Sequence, residues 1–363
     1  MLTDVVLVIG GLALLVGGAQ SLVRGASRLA LAFGIAPLVV GLTIVAFGTS
    51  APELAVSVQS SLAGKSALVL GNVVGSTIYN VLFILGLCAV ITPLAVAPRL
   101  IRLDVPVTIV CAAALYLAAL DGRLGRLDGA LLLAAFAVYT LLVVVLARRE
   151  QQAVKQEYAG ELDRIVKPDR RHALHVVYLV AGIALLGLGS NLLVEGAVAI
   201  AQSLGVSEVL IGMTVVTIGT TAPELSASLV AAWKGEKDIA VGNIVGSNIF
   251  NLLPVLGTGA VVAPDGIVVD DAMRGFGIPV MVAVCFSCLP IFFAGQAIRR
   301  WEGALFLVYF AIYLTWLILD GLRDPRILGL QRLVLWFVGP LTVLTLAVSV
   351  YGEVRRRRSA SAP

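Results

Sequence analysis

Residues 41–54 read GLTIVAFGTSAPEL, and residues 212–225 read GMTVVTIGTTAPEL. The likeness continues, since GNVVGSTIYNVL at 71–82 returns as GNIVGSNIFNLL at 242–253. At a constant offset of 171 and without a gap, 41–86 and 212–257 agree at 21 of 46 positions. A repeat of this length sets the architecture, so it comes before any single motif. The same offset carries back along the chain, pairing Gly18 with Gly189, Gly25 with Gly196 and Gly34 with Gly205, and setting Arg24 opposite Glu195.

The surroundings of the repeat are apolar. Of 363 residues 59% are hydrophobic and 13% charged, and the mean hydropathy is +1.01; a soluble domain has about 45–50% apolar and about 25% charged residues. Runs near the twenty residues that a bilayer requires recur from end to end. They predict helices 1 to 11 at 4–23, 37–62, 67–91, 104–120, 128–147, 174–199, 209–232, 239–263, 275–295, 303–319 and 333–351. Five helices per copy is an odd number, so the second copy lies upside down in the membrane relative to the first. The expected fold is an all-α integral membrane protein with two inverted five-helix repeats, helices 1–5 and 6–10, plus an extra C-terminal helix. The divisions are 1–147 for the first repeat, 148–173 for a short loop, 174–319 for the second repeat and 320–363 for helix 11 and a basic tail. Inverted repeats with interrupted helices at matching positions are the sign of secondary transporters, whose substrates bind near the midplane between the copies.

No basic residue precedes helix 1, which carries Asp4, and this argues against a cleaved secretory signal. With the N-terminus outside, loops on the inner side hold 19 of the 26 Lys and Arg and outer loops hold 7. The positive-inside rule then places the 148–172 loop and the Arg355–Arg358 run in the cytoplasm of a multi-pass cell-membrane protein. The net charge of +4 reflects those flanks beside anionic lipid rather than a nucleic-acid partner. Cys88, Cys111, Cys285 and Cys288 fall in or beside apolar helices and read as small hydrophobes, despite the C-x-x-C spacing of the last two. His172 and His175 read as interfacial residues at the start of helix 6.

Glu53 and Glu224 lie near the middle of helices 2 and 7, where a charged side chain costs about 2.5–3.5 kcal/mol. No Lys or Arg shares that depth, so the natural counter-charge is a bound cation. Pro52 and Pro223 precede the glutamates and cannot donate to the carbonyls of Gly48 and Gly219. Helices 2 and 7 are therefore expected to break around Ala46–Ser50 and Thr217–Thr221, where protein, water or an ion must satisfy the freed groups. Thr49, Ser50, Thr220 and Thr221 add hydroxyls one turn before each glutamate. Ser76 with Asn80, and Ser247 with Asn251, stack at four-residue spacing on helices 3 and 8. Gly71, Gly75, Gly242 and Gly246 read as helix-packing positions, and Asn72 and Asn243 as bridges between the broken helices. The ligand set is oxygen throughout, which suits Ca²⁺ and the similarly sized Na⁺ better than Mg²⁺.

These two segments resemble the α-repeats of the Ca²⁺/cation antiporter superfamily, in particular its sodium/calcium exchanger branch. The resemblance rests on G-T-S/T-x-P-E and G-N-x-V-G-S-x-x-x-N and covers helices 1–10 in layout. It implies cation sites formed by Glu53, Thr49, Ser50, Ser76 and Asn80 with Glu224, Thr220, Thr221 and Ser247, carbonyl ligands near Ala46 and Thr217, and a sliding helix 1 and 6. Two departures stand out. Position 251 is Asn where some relatives carry Asp, which favours potassium independence, and helix 11 is additional to the usual ten.

The expected activity is exchange of Na⁺ for Ca²⁺ with Ca²⁺ extrusion, without a cofactor and without enzymatic chemistry. A proton-coupled antiporter on the same fold stays open, as does a gated cation channel. An intramembrane hydrolase is poorly supplied, because the two histidines lie at the membrane edge.

Overall fold

The computed structural model describes residues 2–157, 172–204, 217–322 and 324–333, with Gly339, Ala347 and Tyr351. Eight helices among them are long and apolar enough to cross a membrane: helix 1 (Leu2–Phe33), helix 3 (Ser66–Ile91), helix 4 (Leu100–Asp121), helix 5 (Arg126–Arg149), helix 6 (His172–Ser203), helix 8 (Lys237–Val262), helix 9 (Met273–Phe293) and helix 10 (Arg300–Gly321). A ninth span is helix 2, formed by Pro37–Thr49 (2a) and Ala51–Leu62 (2b) with a 45° bend between them. Helix 7 is seen as Thr217–Thr220 (7a) and Ala222–Trp233 (7b). The proposed helix 11 at 333–351 lies almost wholly outside the described residues, as does the N-terminal part of helix 7.

Helices 1, 5 and 6 outrun their hydrophobic stretches. Helix 5 continues to Glu157 through the polar run ARREQQAVKQE, good helix formers apart from Val154, so the expected 148–173 loop begins about ten residues late. At about 1.5 Å per residue its 32 residues exceed the about 30 Å hydrocarbon layer. Hydrophobicity measures the part of a helix inside lipid, not the helix.

Two short antiparallel ribbons tie loops together. β1 (Leu94–Ala95), after helix 3, pairs with β4 (Ala297–Ile298), after helix 9, and β2 (Arg123–Leu124), after helix 4, pairs with β3 (Ile267–Val268), after helix 8. Each ribbon joins loops an even number of spans apart, and one span separates β1 from β2. The ribbons therefore sit at opposite ends of the bundle, related to one another as an inverted repeat demands. Turns obey the same symmetry: Gly64 (φ +69°) joins helices 2 and 3, and Gly235 (φ +82°) joins helices 7 and 8, each in the left-handed region that glycine enters freely.

Helix 8 is buried throughout, whereas helices 1 and 6 are mostly outward-facing. Those two pack on one another through glycines seven residues apart. A Cβ on Gly18 would lie 3.0 Å from the Gly182 carbonyl oxygen, and one on Gly11 would lie 2.8 Å from that of Gly189. The backbones touch where side chains would stand.

Candidate functional site

Helices 2 and 7 break where proline removes a donor. Ser50 (φ −85°, ψ 7°) and Thr221 (φ −87°, ψ 1°) leave the helical backbone conformation two residues before Pro52 and Pro223. Each break starts a new helix with its glutamate in the first turn, so Glu53 and Glu224 project inward from the starts of 2b and 7b. Both are fully buried, as are Thr49, Ser50, Ser76, Asn80, Thr221, Ser247 and Asn251, while Thr220 is 6% exposed.

Helices 3 and 8 face the breaks. In each the helix widens into a π-turn, at Asn80–Leu85 and at Asn251–Val255, so the expected amide ligands are the first residues of the two π-turns. Such turns concentrate at functional sites. In the second copy Pro254 lies inside the turn, where the first copy has Phe83, so both residues are compatible with it.

The amides that bridge the broken helices do so symmetrically. Nδ2 of Asn72 donates to the Glu53 carbonyl and to Ser57 Oγ at 3.2 and 3.1 Å; that of Asn243 donates to the Glu224 carbonyl and to Ser228 Oγ at 3.5 and 2.9 Å. Each asparagine holds its glutamate's backbone and leaves the carboxylate to the interior.

Around the carboxylates the symmetry fails. Glu224 Oε1 accepts from Ser50 at 2.8 Å and from Ser247 at 3.4 Å. The corresponding Thr221 turns its hydroxyl back on the Thr217 carbonyl, which Thr220 also approaches at 3.1 Å. Thr49 donates to Asn243 Oδ1 at 3.1 Å and lies 3.3 Å from the Ala46 carbonyl. The Ala46 and Thr217 carbonyls thus line the breaks while serving local hydroxyls. Of the two carbonyls that the prolines leave undonated, that of Gly219 accepts the Ser190 hydroxyl at 2.8 Å.

Six buried oxygens from all four segments have no hydrogen-bond partner among the described residues: Glu53 Oε1 and Oε2, Ser76 Oγ, Asn80 Oδ1, Glu224 Oε2 and Asn251 Oδ1. Isolated buried acceptors cost free energy, and buried charges require a counter-charge. An inward-turned set of carboxylate, amide and hydroxyl oxygens supplies the hard donors of a Ca²⁺- or Na⁺-sized cation.

A Cβ on Gly242 or Gly246 would lie within 2.9 Å of a carbonyl oxygen of helix 2a, and one on Gly75 would approach the Thr217 methyl at 3.4 Å; positions 209, 212 and 213, which the same offset sets against Gly71 and Gly75, lie outside the described residues. Asn248, whose Oδ1 accepts from Asn80 at 3.0 Å, was missed by the motif reading. Its signal was the offset comparison, where asparagine replaces Thr77 in an apolar helix.

The profile of the sodium/calcium exchanger protein family matches residues 3–145 and 174–319. CaxA of Alkalimonas amylolytica is 41% identical over 86% of this chain and 98% of its own length. The sodium/calcium exchanger MaX1 of Methanosarcina acetivorans is 30% identical over 79% of this chain and 90% of its own. A solved structure of the sodium-calcium exchanger NCX_Mj, soaked with Na⁺ and Sr²⁺, superposes with a TM-score of 0.74 at 30% identity, covering 86% of this chain and 98% of that one.

Proposed function

The chain belongs to the sodium/calcium exchanger family, and from that membership we propose that it is a membrane antiporter that exchanges Na⁺ for Ca²⁺ by alternating access, with Ca²⁺ extruded. The observation that carries this reading is the set of six unpartnered buried oxygens that the matched segments of both repeats contribute. Glu53 and Glu224 supply two negative charges, which balance one Ca²⁺. Three Na⁺ in the same place leave one net positive charge, so exchange at that ratio is electrogenic.

Ser76, Asn80, Ser247 and Asn251 complete the cage in this proposal, with hydroxyls of Thr49, Ser50, Thr220 and Thr221 turning inward as the ion requires and the carbonyls of Ala46 and Thr217 offering their second lone pair where they stand. Such exchange of partners is cheap, because a hydroxyl bonded to a carbonyl rotates to accept a cation without backbone movement. Both ions are substrates, and the protein acts by binding and isomerising rather than by bond chemistry. The N-terminus is assigned outside and the C-terminus to the cytoplasm, from the distribution of Lys and Arg.

The test is ⁴⁵Ca²⁺ uptake into proteoliposomes under an imposed Na⁺ gradient, then a pH gradient, then K⁺ on either side. Uptake driven by Na⁺ and indifferent to K⁺ is expected. Uptake that follows the pH gradient alone transfers the assignment to proton antiport, and flux that needs no counter-ion makes the protein a channel.

A further inference from the structure

Ser190, 2% exposed on helix 6, reaches the carbonyl that Pro223 leaves without a donor, that of Gly219. The corresponding position of helix 1 is Ala19. The hydroxyl therefore joins the outer pair of helices 1 and 6 to the break of helix 7, and the first repeat has no such group to offer the break of helix 2.

The two repeats are also held differently. The close approach of Gly246 to Ala46, 2.8 Å for an added Cβ, relaxes to 3.4 Å in the corresponding approach of Gly75 to Thr217. Helix 6 covers both breaks, with Ile183 against Gly48 and Val194 against Gly219. Unequal arrangement of like repeats is what an inverted-repeat transporter shows in either of its two states, and the other state follows by exchanging the two arrangements. After that exchange residue 19 stands to Gly48 as residue 190 now stands to Gly219. Alanine cannot make the bond.

We propose that Ser190 is a positioning residue that biases the access equilibrium toward the arrangement seen here, through a hydrogen bond that its inverted counterpart lacks. The inference rests on the antiport reading. Its consequence is an intrinsic difference between the two membrane faces. Ca²⁺ binds on a given face only to the fraction of protein open there, so a change in the equilibrium moves the two apparent KM values in opposite directions.

The experiment compares the parent with Ser190→Ala, Ser190→Thr and Ala19→Ser. With uniformly oriented protein in vesicles, the KM for Ca²⁺ is measured on each face, and the ratio of the two is the readout. Ser190→Ala shifts that ratio about fivefold, the factor set by one net neutral hydrogen bond. Ala19→Ser shifts it the same way, by stabilising the opposite state, and Ser190→Thr restores the parental ratio. In parallel, amide exchange of detergent-solubilised protein is followed over 217–225, where Ser190→Ala accelerates exchange and Ser190→Thr does not. An unchanged ratio with a lower maximal rate, or a threonine variant indistinguishable from alanine, overturns the proposal. Absence of Na⁺-driven flux in the parent counts against antiport, and amide exchange then decides the role of Ser190 alone.

Discussion

Ser50, in the first repeat, donates a 2.8 Å hydrogen bond to Oε1 of Glu224, in the second. The bond crosses the repeat interface and joins a residue at one break to the carboxylate at the other. Hydrogen bonds to charged groups contribute about 1.5–3 kcal/mol. Ser50→Ala removes that bond together with one proposed oxygen ligand of the bound ion, and is expected to raise the apparent KM for Ca²⁺ by about tenfold, read from initial ⁴⁵Ca²⁺ flux against Ca²⁺ concentration. A parental KM would remove Ser50 from the site.

Glu53→Gln and Glu224→Gln each delete half the charge that faces the ion. Each is expected to abolish Na⁺-driven ⁴⁵Ca²⁺ flux while the protein inserts and elutes as the parent does on size-exclusion chromatography. Counterflow retained in either variant would falsify the shared site.

Asn251 offers an amide oxygen, which coordinates a cation without contributing charge or exchanging a proton. Asn251→Asp adds a third carboxylate to the buried interior that holds Glu53 and Glu224, and like charges in a poorly solvated interior respond to protonation. The expected outcome is Ca²⁺ transport that varies more steeply with pH than in the parent, together with a K⁺ effect that the parent lacks. Superimposable pH profiles with and without K⁺ would restrict the second-repeat ligands to Glu224, Thr220, Thr221 and Ser247.

Gly182 meets helix 1 so closely that an added Cβ would lie 2.5 Å from the backbone nitrogen of Leu22, while one on Gly187 of the same helix would meet nothing within 4 Å among the described residues. Backbone cannot yield as a side-chain tip does. Gly182→Ala should therefore destabilise the protein by about 1–3 kcal/mol, and Gly187→Ala should not. Thermal unfolding in detergent separates the two, and equal melting temperatures would mean that helices 1 and 6 are not packed backbone to backbone.

Reporters placed beside β1 and β4 are expected on one side of the membrane, and reporters beside β2 and β3 on the other. From the distribution of basic residues, reporters beside the first pair, in the 148–172 loop and on the C-terminal tail are expected to register as cytoplasmic. An external tail would mean that helix 11 does not span.

Much of this was legible in the chain. The two prolines marked the breaks at Ser50 and Thr221, because a missing N–H is a local fact that no packing restores. The offset of 171 anticipated the paired asparagine bridges, since like sequences fold alike, whereas the β ribbons and π-turns emerge only from the structure. Helix ends were read poorly: Leu2–Phe33 and Arg126–Glu157 run past their apolar stretches, where helix propensity rather than hydrophobicity sustains them.

By itself the sequence determined the inverted pair of repeats, the broken helices and the oxygen chemistry of the interior, all of which follow from periodicity, proline and residue type. Only the tertiary structure decided how the hydroxyls are shared: Ser50 and Ser247 on Glu224, Thr221 on its own backbone, Ser190 on the freed Gly219 carbonyl. Repetition predicts equal copies. A hydroxyl has several acceptors within reach, and which one it takes depends on distances between helices far apart in the chain, distances that differ between the two copies because one site must be closed differently from each side.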